Sequence, residues 1–282
     1  MAIPNLLTEA LATISQRLQA VGIVSFDAES EILLADFLGV SRGELTAMVL
    51  TGESRDLSQL EGLVRRREQR EPLQHITGKA PFRSIELQVG PGVFVPRFET
   101  EMVTQIGIDF LRALPCAGRA VDVGTGSGAI AISIARETSA TVVAIEASEA
   151  AAEFARRNIE TLAPSVELIV GDFAAELPKQ ESLDLVISNP PYIPANAVPI
   201  DPEVRDHDPE LALYSGEDGL NAIRELAVVA QVPLRSGGLL VIEHADGQSD
   251  DVRELLLSEG WRSVSVHPDN TGRLRAVSAL RK

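Results

Sequence analysis

Val121-Asp122-Val123-Gly124-Thr125-Gly126-Ser127-Gly128-Ala129-Ile130 leads from a short apolar strand through a glycine loop into a helix. Glycines at alternate positions let a backbone turn sharply and come close to a ligand. The helix that follows opens with unpaired N–H groups. The spacing is Gly-x-Gly-x-Gly after an acidic strand residue, not the Gly-x-Gly-x-x-Gly of dinucleotide sites. With no pyrophosphate to cradle, the Asp122 carboxylate either orders the loop or meets a cationic group on a ligand.

Outward from this loop, strand and helix patterns alternate from residue 100 onwards. Ala120–Val123, Thr141–Ile145, Val166–Val170, Leu183–Ser188 and Leu239–Glu243 are short, apolar and separated mostly by helical stretches. That pattern predicts an α/β domain over 100–282 with a parallel sheet covered on both faces. Two further strands are predicted at Ser263–His267 and Leu274–Leu280. The Pro268–Gly272 connection between them is too short for a crossover helix, so they should run antiparallel.

Before residue 80 the period is helical. Leu6, Leu7, Ala10, Leu11, Ile14 and Leu18 share one face. Further helical segments follow Ser25, Ser41 and Leu57, so residues 1–80 read as a small helical bundle whose apolar faces pack on one another. Its Arg65-Arg66-Arg67 and Arg70 read as a solvated helix face. Ile85, Leu87 and Val89 alternate, Gly90-Pro91-Gly92 turns, and Val93–Val95 returns, which predicts a linking β-hairpin over 81–99.

Acidic residues follow the glycine loop at the next strand ends. Glu146, 22 residues after Gly124, can accept from both hydroxyls of a ribose. Asp172 can accept from an adenine amino group while Phe173 packs on the ring. Each alone reads equally as a cap or turn residue, and for Asp172 alone the cap is the favoured reading. Together they point to a nucleoside ligand held by Asp122, Gly124, Thr125, Gly126, Gly128, Glu146, Asp172 and Phe173. These residues resemble the class I S-adenosylmethionine-dependent methyltransferases. That resemblance implies a Rossmann-like seven-stranded sheet whose last strand is antiparallel, with S-adenosylmethionine as cofactor.

The fourth strand ends in Asn189-Pro190-Pro191-Tyr192. Both prolines lack a backbone donor. The Asn189 side-chain oxygen and the Pro190 carbonyl remain as acceptors, beside the flat face of Tyr192. Two acceptors and an aromatic suit a planar –NH2 group whose nitrogen is aimed at an electrophile. The alternative is a rigid strand-to-loop turn. The tetrapeptide is similar to that of N-methyltransferases acting on adenine, on guanine or on glutamine amides, and Asn189 also borders the cofactor.

Three other segments narrow the choice: Phe94-Val95-Pro96-Arg97-Phe98-Glu99-Thr100-Glu101, Asp208-Pro209-Glu210-Leu211-Ala212-Leu213 with Gly216–Leu220, and Asp269–Arg275. With the helical region and Gln74–Gly78 they resemble the HemK/PrmC family along essentially the full chain. The resemblance implies a protein-(glutamine-N5) methyltransferase acting on the Gly-Gly-Gln motif of class I peptide chain release factors. It implies that Asn189 and Pro190 hold the amide with Pro191 and Tyr192 beside it, and that no metal takes part. Arg97 and Glu101 fall in a segment bordering the active site, with a mutual ion pair as the alternative. A ribosomal protein or a nucleic-acid amino group is the alternative substrate. The chain departs from the family pattern at Phe98, Asp208 and Glu146, where Pro, Glu and Asp are usual.

Charge weighs against the nucleic-acid alternative. The 282 residues carry 25 Lys and Arg against 41 Asp and Glu, a net −16. Phosphate binders need the opposite balance. Residues 1–80 hold 8 basic and 11 acidic side chains, so the excess lies downstream. An acidic catalytic region would steer a basic protein substrate. One cysteine, Cys116, allows no intrachain disulfide. With no signal-like start and no membrane-length apolar run, a cytoplasmic monomer is expected, with no membrane or direct nucleic-acid partner.

Overall fold

The computed structural model describes residues 3–282, so the reading of the N-terminal start as leaderless lies in part outside the described residues. The helices are α1 (Leu7–Ala20), α2 (Phe26–Leu38), α3 (Arg42–Leu50), α4 (Leu60–Glu68), α5 (Leu73–Thr77), α6 (Phe98–Ala113), α7 (Ala129–Glu137), α8 (Glu149–Leu162), α9 (Phe173–Glu176), α10 (Pro202–His207), α11 (Glu210–Leu213), α12 (Asn221–Val229) and α13 (Ser249–Ser258). The strands are β1 (Lys79–Phe82), β2 (Ile85–Gln88), β3 (Arg119–Val123), β4 (Thr141–Glu146), β5 (Glu167–Val170), β6 (Leu183–Ser188), β7 (Leu234–Glu243), β8 (Arg262–Pro268) and β9 (Leu274–Leu280).

The chain packs as two compact units. One takes in the chain up to Gly78 together with Pro199–His207; the other is Lys79–Val198 with Asp208–Lys282. In the first, α1 buries Leu7, Ala10, Ile14 and Leu18 on one stripe, against Leu33 and Leu34 of α2 and Leu60 and Val64 of α4. Gly39 ends α2 in the left-handed conformation. Ser41 and Glu44 form a reciprocal capping box on α3, which satisfies donors the helix start would otherwise leave open.

The arginine cluster is not the solvated face the sequence suggested. Arg65 is exposed, but Arg67 is buried, with Nε 2.5 Å from Glu29 and Nη2 2.8 Å from Glu203. Arg70 forks onto the same Glu203 carboxylate at 2.7 Å for both contacts. Two arginines hold that carboxyl well below the usual carboxylate range, against the penalty of burial. These pairs explain why 199–207, read from sequence as part of the α/β region, packs with the helical unit.

In the second unit the sheet order is β5-β4-β3-β6-β7-β9-β8. β3 pairs parallel with β4 and β6, and β9 runs antiparallel to both β7 and β8. The strands are apolar on both faces because both are covered. Ala120 and Leu185 face one core, beneath α6, α7 and α8; Val121, Val123 and Val186 face the other, with Leu226 of α12 and Val252 of α13.

The hairpin differs from expectation. β1 pairs with β2 around Phe82↔Ile85, so the turn is at Arg83-Ser84 and not at Gly90–Gly92. Arg83 takes φ 49°, unusual for a residue with a Cβ. Its anchors offset that strain: Nε and Nη2 reach Glu137 at 2.6 and 2.9 Å, and its backbone N–H donates to Glu101 at 2.8 Å. Val93 and Val95 point into the core without joining a strand.

Candidate active site

Strand order reverses between β3 and β6, since β3 leads to β4 on one side and meets β6 on the other. In doubly wound sheets such a reversal opens a crevice at the carboxyl ends of the strands. The Ser188 hydroxyl donates to the Val123 carbonyl at 2.7 Å and ties the two ends together. The glycine loop leaves β3 there, and Asn189 leaves β6.

Asp122 is fully buried. Its Oδ2 accepts from the Thr125 hydroxyl at 2.6 Å and from the Ala131 N–H at 3.1 Å, linking strand, loop and α7. The carboxylate orders the loop, the first of the two roles open to it from sequence. Burial pushes it up to about 7, and no hydrogen-bond donor reaches Oδ1 among the described residues. Thr125 commits its hydroxyl to Asp122, so it faces a ligand only through its backbone. Gly124 and Gly126 hold φ 69° and 58°, and a Cβ on either would meet open space. A ligand can therefore lie directly against this backbone.

Glu146 ends β4 nearly buried. Its Oε2 accepts from the Gly126 N–H and its Oε1 from the Ser148 N–H, each at 2.8 Å. Each oxygen keeps a second lone pair for a hydroxyl. Asp172 caps α9, with Oδ1 accepting from the Ala174 N–H at 2.8 Å. Phe173 packs half-buried on the sheet. With β5, β4, β3 and β6 adjacent and parallel, Asp172, Glu146, the loop and Asn189 line up along one sheet edge. Open backbone, then a buried carboxylate, then an exposed one suit a ligand with a charged tail, a diol and an amino-bearing ring.

Asn189 is half-buried and donates from Nδ2 to the Thr100 hydroxyl oxygen at 3.2 Å. Pro190 is buried beside it. Tyr192 packs its ring on the sheet core, and burial and the nearby Glu243 carboxyl raise its phenol above the ordinary tyrosine value. The Tyr192 carbonyl accepts from Gln248 at 3.1 Å. Backbone bonds from Ile193 to Leu213, from Ser215 to Ile193 and from Ala195 to Gly216 fasten the next residues. Gly219, with φ 80°, lies so close that a Cβ would fall 2.2 Å from the Tyr192 oxygen.

Arg97 and Glu101 do not pair with each other. Arg97 reaches the buried Asp208 carboxylate at 2.7 Å and stacks over Phe94 at 4.8 Å, while Glu101 holds Arg83. Sequence reasoning missed Thr100, Glu243, Gln248 and Gly219. Glu243 closes β7, fully buried, and burial raises it to about 7. Thr100 and Gly219 lay inside segments singled out in the sequence, 94–101 and 216–220, but nothing local gave either a role.

Comparison with known proteins follows this division. Residues 9–78 match a family model described as the PrmC N-terminal domain, and 85–201 match the methyltransferase small domain. The chain is 48% identical to the release factor glutamine methyltransferase of Streptomyces coelicolor, over 98% of both chains. It is 41% identical to that of Mycolicibacterium smegmatis, again over 98% of both. A methyltransferase structure from Pyrococcus furiosus aligns with TM-score 0.52 at 20% identity, covering 69% of this chain and 88% of that one. That likeness bears on the fold, which is the class I methyltransferase fold.

Proposed function

This chain belongs to the release factor glutamine methyltransferase family, and from that premise we propose that it methylates N5 of the glutamine in the Gly-Gly-Gln motif of class I peptide chain release factors. It is an S-adenosylmethionine-dependent enzyme. The bound cofactor supplies an electrophilic methyl group on a sulfonium.

The chain's own residues supply position. The open backbone at Gly124 and Gly126 would receive the charged end of the cofactor, Glu146 its ribose hydroxyls, and Asp172 with Phe173 its base. Asn189 Oδ1 and the Pro190 carbonyl each accept one hydrogen of the substrate's –NH2, and Tyr192 packs against the amide plane. An amide nitrogen is a weak nucleophile. Accepting from both its hydrogens raises its electron density as positive charge develops, and holding it in line with the methyl removes most of the entropic barrier. The proton leaves during or after transfer, so no strong base is required before attack.

The observation that carries this reading is the Asn189–Thr100 hydrogen bond: with Nδ2 committed to Thr100, the oxygen is the atom left for the substrate. The test is incubation with purified release factor and S-adenosylmethionine, then mass spectrometry of the Gly-Gly-Gln peptide. One added methyl on that glutamine is expected. Methylation only of a ribosomal protein or of nucleic acid would overturn the substrate assignment. Asn189→Ala should lower kcat by about a hundredfold or more, as loss of one preorganised polar contact does elsewhere, with cofactor affinity nearly unchanged.

A further inference from the structure

An asparagine side chain is almost symmetric in shape. Turned by half a rotation, Asn189 would point –NH2 at a substrate –NH2, donor against donor. Something must decide the orientation, and Thr100 alone cannot. A hydroxyl donates as readily as it accepts, so Thr100 would satisfy either face of the amide. It becomes an obligate acceptor only when another group claims its proton.

Glu243 is placed to do so. The pairing of Ser188 with Ile242 sets Glu243, the next residue of β7, alongside Asn189, the residue after β6. Thr100, in the first turn of α6, is 4% exposed and Glu243 is 2% exposed, so water does not compete freely for either. α6 packs against β7, which brings the first turn of α6 to the end of the strand where Glu243 lies, and there the Thr100 hydroxyl favours the ionised form of the carboxyl. An ionised carboxylate only accepts.

We propose that Glu243 is a positioning residue: through the Thr100 hydroxyl it fixes the polarity of the Asn189 side chain, so that Oδ1 and not Nδ2 faces the amide to be methylated. The chain of donors runs Asn189 N–H to Thr100 oxygen, Thr100 O–H to Glu243 carboxylate. No residue of the glycine loop takes part, so the cofactor contacts made by that loop are independent of it. The inference rests on the amide-substrate reading above only for its effect on rate.

The charged and titratable groups around Glu243 are Arg275 on β9, Arg97 and Glu99 at the start of α6, and Tyr192 after β6. The two arginines favour the ionised form that the relay needs. Burial opposes it and raises the carboxyl to about 7, and Oε2 has no hydrogen-bond partner among the described residues. The relay is therefore intact above neutral pH and weakened below it.

The test has two readouts. The first needs no substrate. In 15N-labelled full-length protein, the Asn189 side-chain –NH2 resonance, assigned from its loss in Asn189→Ala, should shift with pH as Glu243 titrates. The response should vanish in Glu243→Gln and in Thr100→Val and persist in Thr100→Ser. A resonance indifferent to Thr100→Val, or a pH response that survives Glu243→Gln, would overturn the proposal.

The second readout is methylation of release factor. Thr100→Val should lower kcat about tenfold or more, the scale of a small misplacement, with KM for cofactor unchanged and with recovery in Thr100→Ser, which loss of folding would not show. The Thr100→Val/Glu243→Gln pair should be no slower than Thr100→Val alone, because both act through one path. Losses that multiply would overturn it. A wild-type protein with the resonance pattern but no activity on release factor would sink the substrate assignment and leave the relay standing.

Discussion

Asp122 and Glu243 are carboxyl groups kept from water, and both are raised from ordinary values of 3.8 and 4.5 to about 7. The folded state binds their protons more tightly than the unfolded chain does. Their contribution to stability is complete below about pH 4 and is lost as pH rises through about 7. Carboxylates lowered by arginine partners, such as Asp218 beside Arg224, titrate in a more acidic window. The urea midpoint should therefore decline between pH 4 and 7. Asp122→Asn should flatten that decline, by ~2–4 kcal/mol across the window, since a tenfold change in proton affinity corresponds to about 1.4 kcal/mol. An unchanged slope in the variant would refute the assignment. At this scale the sequence was readable where one residue type announces its chemistry, as at Asn189 and the loop glycines. It was opaque at Thr100 and Glu243, which mean nothing until folding brings them together.

Among the elements, the strands were legible because buried parallel strands are short apolar runs: Leu183–Ser188 and Leu274–Leu280 match to the residue. β7 begins five residues earlier than its apolar run, at Leu234, because Arg235–Gly237 interrupt the pattern while the backbone stays extended. The hairpin turn was hidden because Arg83 takes a conformation that glycine usually announces, held there by Glu137 and Glu101. The loop after Tyr192 shows the same limit. Its shape depends on Gly219 packing against the Tyr192 carbonyl, a contact between segments that no local pattern encodes. Gly219→Ala would place a methyl at an impossible distance with φ already positive. It should cost ~2 kcal/mol or more of stability, the upper range of ordinary substitutions. Activity should fall further than stability explains, because Tyr192 shifts, while cofactor affinity holds. Calorimetry of cofactor binding beside steady-state rates checks this, and a matching loss of cofactor affinity would refute it.

For the molecule as a whole, the charge that first excluded polyanion binding acquires a location. Most of the −16 lies beyond residue 80, in the stretch that builds the methyltransferase sheet. Release factors, as proteins that work against ribosomal RNA, are expected to present basic surface. Steering by opposite charge acts on encounter and is screened over about 10 Å at about 0.1 M salt. The ratio kcat/KM for release factor should thus fall severalfold with added salt, while kcat at saturation stays level. A salt-insensitive ratio would reduce the charge to a solubility device. The two-unit division has a different consequence. Residues 199–207 return to the helical unit, where Glu203 meets Arg67 and Arg70, so that unit is written discontinuously in the chain. On a ribosome synthesising from the N-terminus, it has no Glu203 until after the glycine loop and the Asn-Pro-Pro-Tyr segment have emerged. The part of the protein made first is thus among the later parts to be finished, and a fragment ending at residue 78 would leave Arg67 with Glu29 alone and Arg70 without the carboxylates it pairs with.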